Sequence, residues 1–387
     1  MIGGVTAPAG FSANALPVGI KRSGDLDLMA LVADETVPAA AVFTTSRTAA
    51  APVLLSRDRI AGGRTRGVIV NSGIANASTG RRGMEDAESM AAALAREVGA
   101  PESEILVCST GTIGNRLPLA DVVDAVPGLV SGLGRTPDHA YAAARGIMTS
   151  DSVPKQFSAE VGGYTIGGMA KGAGMVRPDL ATMLAFLTTD AVVSSDVAAG
   201  ALRRAADVTF NALNIDGCQS TNDTVLLMCS GLSGVEPDPA SFADALGAAC
   251  ADLAGQMARD AEGASRVVIL DVSGARDEAT ARRLGMAIAD SALVRSSFYG
   301  ADPNWGRLVA AMGAAGVEID GDAIEIAYDG TVIASRGVAV PVDEDALSSR
   351  MTGDFTVGIT VGSGPGRATV TTTDLTPEYV RFNGERS

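Results

Sequence analysis

Histidine is nearly absent from this sequence, because His139 is the single one among 387 residues. Imidazole is the usual base that activates a serine or cysteine nucleophile. His139 follows Thr136 and Pro137, an order typical of a helix N-cap and first turn, so we expect a surface residue without a catalytic role. Ser-His-Asp and Cys-His catalysis are then excluded. Any nucleophile in this chain must obtain its base elsewhere.

Cysteine, positive charge and long apolar runs are also scarce. The four cysteines are far apart and form no C-x-x-C pair, so we expect free, buried thiols and no zinc site. A net charge of −15 argues against a nucleic-acid partner, which requires clustered Lys and Arg. No segment approaches the roughly 18 apolar residues of a membrane span, and the first residues lack the features of a signal peptide. We therefore expect a cytoplasmic protein without a membrane partner.

Aliphatic side chains must form the core, because 47% of the residues are hydrophobic and only 4% are aromatic. Short apolar runs bounded by turns alternate with Ala-rich segments of helical periodicity, which predicts a mixed α/β (α+β) fold. The expected strands are 26–32, 39–43, 67–70, 104–108, 183–187, 223–229, 266–272, 324–328, 331–334, 355–361 and 368–372. The expected helices are 84–98, 119–130, 137–147, 194–208, 239–259 and 275–291.

The segment 167–191 joins a glycine-rich stretch around Lys171 to an apolar run that begins at Met183. We interpret the first part as a flexible loop and the second as a buried strand. Neither the P-loop pattern nor the dinucleotide-binding pattern occurs here, so phosphate binding is not indicated. From the residues alone, a plain structural turn and a reactive site both remain open.

Thr182 is the candidate nucleophile of this segment. A threonine hydroxyl needs a base, and cleavage of the Ala181–Thr182 bond would supply one as the new α-amino group of the same residue. The pKa of such an amine is about 7.7–8.0, so a substantial neutral fraction exists near neutral pH. A small residue before the threonine, a flexible loop and a following strand are the local requirements, and this sequence meets them.

The segment from Lys171 to Leu184 resembles the self-processing site of the ArgJ-type ornithine acetyltransferase (glutamate N-acetyltransferase) family. Further motifs of that family occur in the same order along nearly the whole chain. They are Asn71-Ser-Gly-Ile-Ala-Asn-Ala, Cys108-Ser-Thr-Gly-Thr-Ile-Gly, Ile147-Met-Thr-Ser-Asp, Ser220-Thr-Asn-Asp-Thr, Ala261-Glu-Gly-Ala-Ser and Asp302-Pro-Asn-Trp-Gly-Arg. We interpret residues 220–223 and 302–307 as structural, from capping and loop geometry and from the packing of Trp305.

This resemblance implies an N-terminal-nucleophile fold of the DmpA/ArgJ type, self-processed into two chains. The α chain would be 1–181, and the β chain 182–387 would include a C-terminal α+β region of about 275–387. Two chains of each kind would assemble into a heterotetramer, without a metal or organic cofactor. The implied reaction transfers acetyl from N2-acetylornithine to L-glutamate in arginine biosynthesis, and the sequence leaves open whether acetyl-CoA is a second donor.

The resemblance also implies roles for individual residues. Thr182 would carry the acetyl group, while the Thr110 hydroxyl and the Gly111 N–H would form the oxyanion hole. The implied substrate contacts are Thr149, Lys171, Thr182, Glu262, Asn383 and Ser387.

Three departures from the family pattern concern the acceptor more than the nucleophile. Ile74 replaces a polar residue, Ser150 replaces a threonine, and the C-terminus is one residue short and lacks a tyrosine. Two other functions therefore stay open at this point. One is an N-terminal-nucleophile amidase or aminopeptidase, in which water is the acceptor. The other is a specialised or inactive relative of another pathway.

Overall fold

The computed structural model describes residues 3–177 and 183–385. The chain forms two compact units. The first is Met1–Asn211 with Cys218–Met257, and the second is Ala212–Gly217 with Ala258–Ser387. The predicted C-terminal region of about 275–387 lies within the second unit, which also takes in earlier residues. The predicted boundary between an α and a β chain lies outside the described residues.

The described residues form strands and helices in alternation, so the predicted mixed α/β class is confirmed. The strands are β1 (Phe11–Leu16), β2 (Leu28–Phe43), β3 (Arg64–Ile74), β4 (Ile105–Thr112), β5 (Lys155–Val161), β6 (Tyr164–Lys171), β7 (Leu184–Thr189), β8 (Leu213–Asn214), β9 (Thr224–Cys229), β10 (Val267–Ala275), β11 (Glu325–Tyr328), β12 (Thr331–Ser335), β13 (Val338–Ala339), β14 (Phe355–Thr360) and β15 (Gly366–Thr373). The helices are α1 (Ala51–Arg59), α2 (Gly80–Val98), α3 (Leu119–Ser131), α4 (Pro137–Gly146), α5 (Ser195–Val208), α6 (Pro239–Arg259), α7 (Glu278–Asp290), α8 (Ala292–Tyr299), α9 (Trp305–Gly313), α10 (Glu344–Arg350) and α11 (Pro377–Glu385).

The first unit is built on a sheet of order β4-β3-β2-β9-β7-β6-β5, and β1 also pairs with β2. Strands β3 and β4 are parallel, as are β7 and β9, and the other pairs are antiparallel. Both faces of the sheet are covered. On β2, Leu28 and Ala30 join the core beneath α2 and α3, whereas Met29 and Leu31 join the opposite core with α4. Burial on both faces explains why β2 is apolar without alternation from Leu28 to Ala33.

Two predictions about the first unit are wrong in detail. The glycines at 167 and 168 belong to strand β6 and not to a flexible loop. A side chain there would meet other parts of the unit, since a Cβ on Gly167 would lie 2.2 Å from the Gly4 carbonyl oxygen. The expected strands 26–32 and 39–43 are parts of the single strand β2, whose pairing with β3 shifts register between Val32 and Val37.

The second unit contains a sheet of order β13-β12-β11-β14-β10-β15-β8. The pairs β10–β14 and β15–β8 are parallel, and the remaining pairs are antiparallel. Helices α7, α8 and α9 contribute to its core, where Tyr328 and Phe298 both contact Phe355. Trp305 is partly buried against this core at the first residue of α9, as the sequence predicts.

The structure shows where the single histidine and the four cysteines lie. His139 lies in the first turn of α4, where its Nδ1 is 2.7 Å from the hydroxyl of the N-cap residue Thr136. The cysteines 108, 229 and 250 are buried free thiols, but the expected burial is wrong for Cys218, which is exposed. Among the described residues, no helix combines the length and the hydropathy that crossing a membrane requires.

The close approach of the end of β10 to the segment after β14 gives a stability prediction. Gly274 has a φ of +75°, and a Cβ there would lie 2.2 Å from the Gly362 carbonyl oxygen. Gly274→Ala should lower the free energy of unfolding by at least about 2 kcal/mol, because both strain and a backbone clash result. Gly353→Ala, where no atom lies within 4 Å, should change it by less than about 0.5 kcal/mol. Urea denaturation of both variants measures the difference, and equal stabilities would contradict the prediction.

Candidate active site

The strand that follows the predicted cleavage position starts in the middle of the first unit's sheet. Leu184, the first residue of β7, pairs with Lys171 on β6 and with Thr224 on β9. The predicted nucleophile Thr182 and its neighbour Ala181 lie outside the described residues. Met183 is therefore the described residue that adjoins the predicted cleavage position in sequence.

Met183 is held through both of its backbone polar groups. Its N–H donates to Oδ1 of Asp223 at 2.7 Å, and its carbonyl oxygen accepts from the N–H of Thr224 at 3.3 Å. The Asp223 side chain is completely buried. Burial raises the pKa of this carboxyl well above its ordinary value, and the Met183 N–H, the Lys171 charge and the Ser220 side chain only partly oppose that effect.

Lys171 belongs to a buried charged cluster. Its ammonium nitrogen lies 3.9 Å from Oδ2 of Asp151, whose Oδ1 accepts from Lys155 Nζ at 2.7 Å. All three side chains are at most 1% exposed. Burial by itself would raise the pKa of Asp151, but the charges of Lys171 and Lys155 outweigh it and hold that pKa well below its ordinary value. Asp151 is therefore a carboxylate at neutral pH.

The same carboxylate connects two residues predicted to contact substrate. Asp151 Oδ2 accepts from the backbone N–H of Thr149 at 3.0 Å, and Oδ1 accepts from the N–H of Gly172 at 2.7 Å. Thr149 is partly buried. The structure therefore brings Thr149 and Lys171 together around Asp151, although the sequence analysis assigned no role to Asp151 itself.

The predicted oxyanion pair lies at the end of β4. Thr110 is buried and Gly111 is exposed. Gly111 has a φ of +130°, and a Cβ there would lie 2.2 Å from the carbonyl carbon of Gly73 on β3. A side chain is excluded at this position, because the Gly73 backbone occupies the space that it would need.

Buried hydrogen bonds tie this strand end to the segment before β9. Asn222 donates through Nδ2 to the carbonyl oxygens of Ser109 at 2.9 Å and Ala75 at 2.6 Å. The Ser109 hydroxyl in turn donates to Oδ1 of Asn71 at 2.6 Å. The interpretation of residues 220–223 as structural is extended by these bonds, because Asn222 and Asp223 also bind to distant strands. Through Asn222 and Asp223, the strand β4, which carries the predicted oxyanion pair, is connected to the start of β7.

Two further predicted contacts lie in the second unit. Asn383 on α11 donates through Nδ2 to Oε2 of Glu262 and to the carbonyl oxygen of Tyr379, both at 3.1 Å. Asn383 is exposed and Glu262 is partly buried. Ser387, the last predicted contact, lies outside the described residues. The structure thus places Glu262 and Asn383 side by side.

Sequence reasoning did not single out Asp151, Asn222 and Asp223 as parts of the candidate site. All three lie within motifs that the sequence analysis had singled out, Ile147–Asp151 and Ser220–Thr224. For Asn222 and Asp223, the signal available was the position of an amide or acidic residue at the start of the expected strand 223–229, whereas no expected strand adjoined Asp151. Only the pairing of the strands shows that these side chains point into buried surroundings. Among the described residues, no group of three His, Cys, Asp or Glu side chains could hold a metal ion.

Comparison with known proteins now identifies the family. The model of the ArgJ family matches residues 12–387, so the chain belongs to this family. The protein called arginine biosynthesis bifunctional protein ArgJ in Geobacter sulfurreducens is 44% identical, and the match covers 97% of this chain and 98% of that protein. The protein of the same name in Thermobifida fusca is 45% identical, with 99% of each chain covered.

A crystal structure of the arginine biosynthesis bifunctional protein ArgJ from Bacillus halodurans is similar to part of the fold. It is 34% identical, with a TM-score of 0.51, and the match covers 55% of this chain and 100% of that one. The family resemblance stated from the sequence motifs is therefore confirmed, and so is the ArgJ-like fold.

The buried Asp151 carboxylate gives a prediction on pH dependence. Its pKa is lowered in the folded state, so its contribution to stability is complete above the unfolded value of about 3.9 and is lost as the pH falls below it. Asp151→Asn should cost about 3–5 kcal/mol at pH 7, because two buried lysines lose their shared carboxylate. The difference in unfolding free energy between the two proteins should shrink toward pH 2. Urea denaturation at a series of pH values measures it, and a difference independent of pH would contradict this account.

Proposed function

We propose that this chain transfers acetyl from N2-acetylornithine to L-glutamate through an acetyl ester on Thr182, giving ornithine and N-acetylglutamate. The observation that carries the proposal is the anchoring of Met183, the residue after Thr182. Its backbone is hydrogen-bonded to Asp223 and Thr224, and the next residue, Leu184, pairs with the buried Lys171 at the end of β6. Membership of the ArgJ family and the arginine-biosynthesis names of its relatives support it.

The nucleophile would form by self-cleavage. The Thr182 hydroxyl attacks the carbonyl carbon of Ala181, the carbon–nitrogen bond breaks, and the nitrogen takes the proton that the hydroxyl releases. Water then hydrolyses the ester, which leaves Ala181 as a carboxylate and Thr182 with a free α-amino group. That amine serves as the base in a chain with one histidine.

Acetyl transfer would proceed in two steps. The α-amine takes the hydroxyl proton, and the Thr182 oxygen attacks the acetyl carbonyl of N2-acetylornithine. The proton passes to the departing ornithine nitrogen. The neutral amine of glutamate then attacks the acetyl ester, and the Thr182 oxygen recovers a proton as N-acetylglutamate forms. A ping-pong rate law follows from this order.

Charge on the tetrahedral oxygen would be stabilised by the Thr110 hydroxyl and the Gly111 N–H. Preorganised donors of this kind are each worth about 3–4 kcal/mol of barrier. The exposed Gly111 backbone and the buried bonds from Asn222 to Ser109 and Ala75 support this assignment, because they hold the end of β4 in place.

The substrate would be bound mainly by charge. The Lys171 ammonium suits the α-carboxylate of both amino acids, and Thr149 is held beside it by Asp151. Glu262 suits the side-chain ammonium of ornithine, with Asn383 as its neighbour. We assign the final contact to Ser387.

The partners of the proposed enzyme follow from the same family pattern. The α chain 1–181 and the β chain 182–387 stay associated as a heterotetramer of two chains each, in the cytoplasm and without a cofactor. Acetyl-CoA is proposed as a second acetyl donor, in keeping with the word bifunctional in the names of the relatives.

Self-cleavage is tested by denaturing intact-mass measurements on the native chain and on Thr182→Ala. The native protein should give two fragments divided between Ala181 and Thr182, while the variant should remain one chain, because it lacks the attacking hydroxyl. An uncut native chain would remove the proposed base and with it the mechanism.

Acetyl transfer is tested by adding N2-acetylornithine without an acceptor. The fragment that begins at Thr182 should gain about 42 Da, the mass of one acetyl group in place of one proton. Glutamate should then remove the adduct as N-acetylglutamate. Rapid release of acetate without glutamate would instead identify an amidase. An unmodified fragment with no turnover would identify an inactive relative.

A further inference from the structure

Asp223 carries a carboxyl group in surroundings that exclude water. Its carboxyl is completely buried in the first unit, with Oδ1 accepting from the Met183 N–H at 2.7 Å. Its second oxygen, Oδ2, is also buried but makes no hydrogen bond to the described residues. A buried polar atom without a partner costs stability. A shorter or apolar side chain would avoid that cost if only the fold required this position.

The backbone around Asp223 is fixed on both sides. Its carbonyl oxygen accepts from the N–H of Thr44 at 3.0 Å, while the Thr44 hydroxyl donates to the carbonyl oxygen of Ser220 at 2.8 Å. The next residue, Thr224, donates to Met183 as described above. Asp223 is therefore a rigid group, and the Met183 peptide that it holds is rigid too.

Chain connectivity gives this contact its importance. The Met183 nitrogen belongs to the peptide group that directly follows Thr182. Three covalent bonds separate it from the Thr182 nitrogen, a path of about 4 Å in any conformation. An acceptor that fixes the Met183 N–H removes rotational freedom on the downstream side of the bond to be cut. Attack by a neighbouring hydroxyl gains its rate from such restriction.

We propose that Asp223 is a positioning residue for self-cleavage, which it promotes by fixing the Met183 peptide through the Met183 N–H. This inference rests on the proposed function, since it assumes that the Ala181–Thr182 bond is cut. The contact does not depend on the charge of Asp223, because a carboxyl oxygen accepts the N–H whether or not the group carries a proton. An asparagine oxygen would accept the same hydrogen bond.

The opposite end of β7 offers a matched control. Asp190 directly follows this strand, is also buried, and accepts from the N–H groups of Thr165 at 2.7 Å and Ala9 at 3.1 Å. Replacing Asp223 removes a buried hydrogen-bond acceptor beside the start of β7, and replacing Asp190 removes one at its end. Of these two carboxyls, the one that accepts a hydrogen bond from Met183, the residue after Thr182, is that of Asp223.

The experiment follows the half-time of cleavage by intact mass, and the melting temperature of each variant is recorded beside it. Asp223→Ala should slow cleavage at least about tenfold, as expected from loss of one positioning hydrogen bond. Asp223→Ser, too short to reach Met183, should do the same and serves if the alanine variant does not fold. Asp223→Asn should restore most of the rate, and Asp190→Ala should cleave like the native chain despite a lowered melting temperature.

The outcomes separate this inference from the function on which it rests. Native cleavage rates in Asp223→Ala or Asp223→Ser overturn the inference and leave the proposed function intact. A folded Asp223→Asn that is as slow as the alanine variant also overturns it, because a retained acceptor then brings no benefit. Equal slowing in Asp190→Ala would assign the effect to general weakening of β7. A native chain that stays uncut overturns both proposals.

Discussion

The hydrogen bonds made by the segment before β9 are the constraint on which the candidate site of the first unit depends. Asn222 reaches the ends of β3 and β4 through the carbonyl oxygens of Ala75 and Ser109, and Asp223 reaches Met183. Two adjacent side chains therefore connect strands that are far apart in sequence. Buried donors and acceptors must be paired, so these contacts allow one relative placement of the strand ends.

Two buried carboxyl groups in the same unit, those of Asp151 and Asp223, have pKa values that are shifted in opposite directions. The charges of two buried lysines hold the pKa of Asp151 well below its ordinary value, whereas burial raises the pKa of Asp223 well above it. The pKa values of two chemically identical side chains thus shift in opposite directions because their surroundings differ. Separated pKa values of this kind are typical of functional sites, although ion pairs with a purely structural role shift pKa values as well.

Much of the fold could be predicted from the residue pattern, because helix 239–259 and the strands around 224–229 and 267–272 have strong periodicity or continuous apolar runs. The glycines at 167 and 168 misled the prediction, since glycine is read locally as a flexible residue. Here it serves close packing, with the Gly4 backbone in the space that a Cβ would need. For the site, motif resemblance pointed to Lys171, Thr149, Thr110 and Gly111. It gave no role to Asp151 or Asp223, because burial and pairing arise only from strands that meet in space.

The sequence by itself determined which kinds of catalysis this protein excludes and to which family it belongs. One histidine excludes the common catalytic pairs, and the ordered motifs indicate the family that the comparison confirms. The tertiary structure alone decided which side chains lose water and which atoms they meet. Lys171 lies in a stretch that the sequence predicts to be a flexible loop, yet it is a buried residue beside Asp151 at the end of β6. The reason is physical: the charge state and orientation of a group depend on neighbours that come from distant parts of the chain.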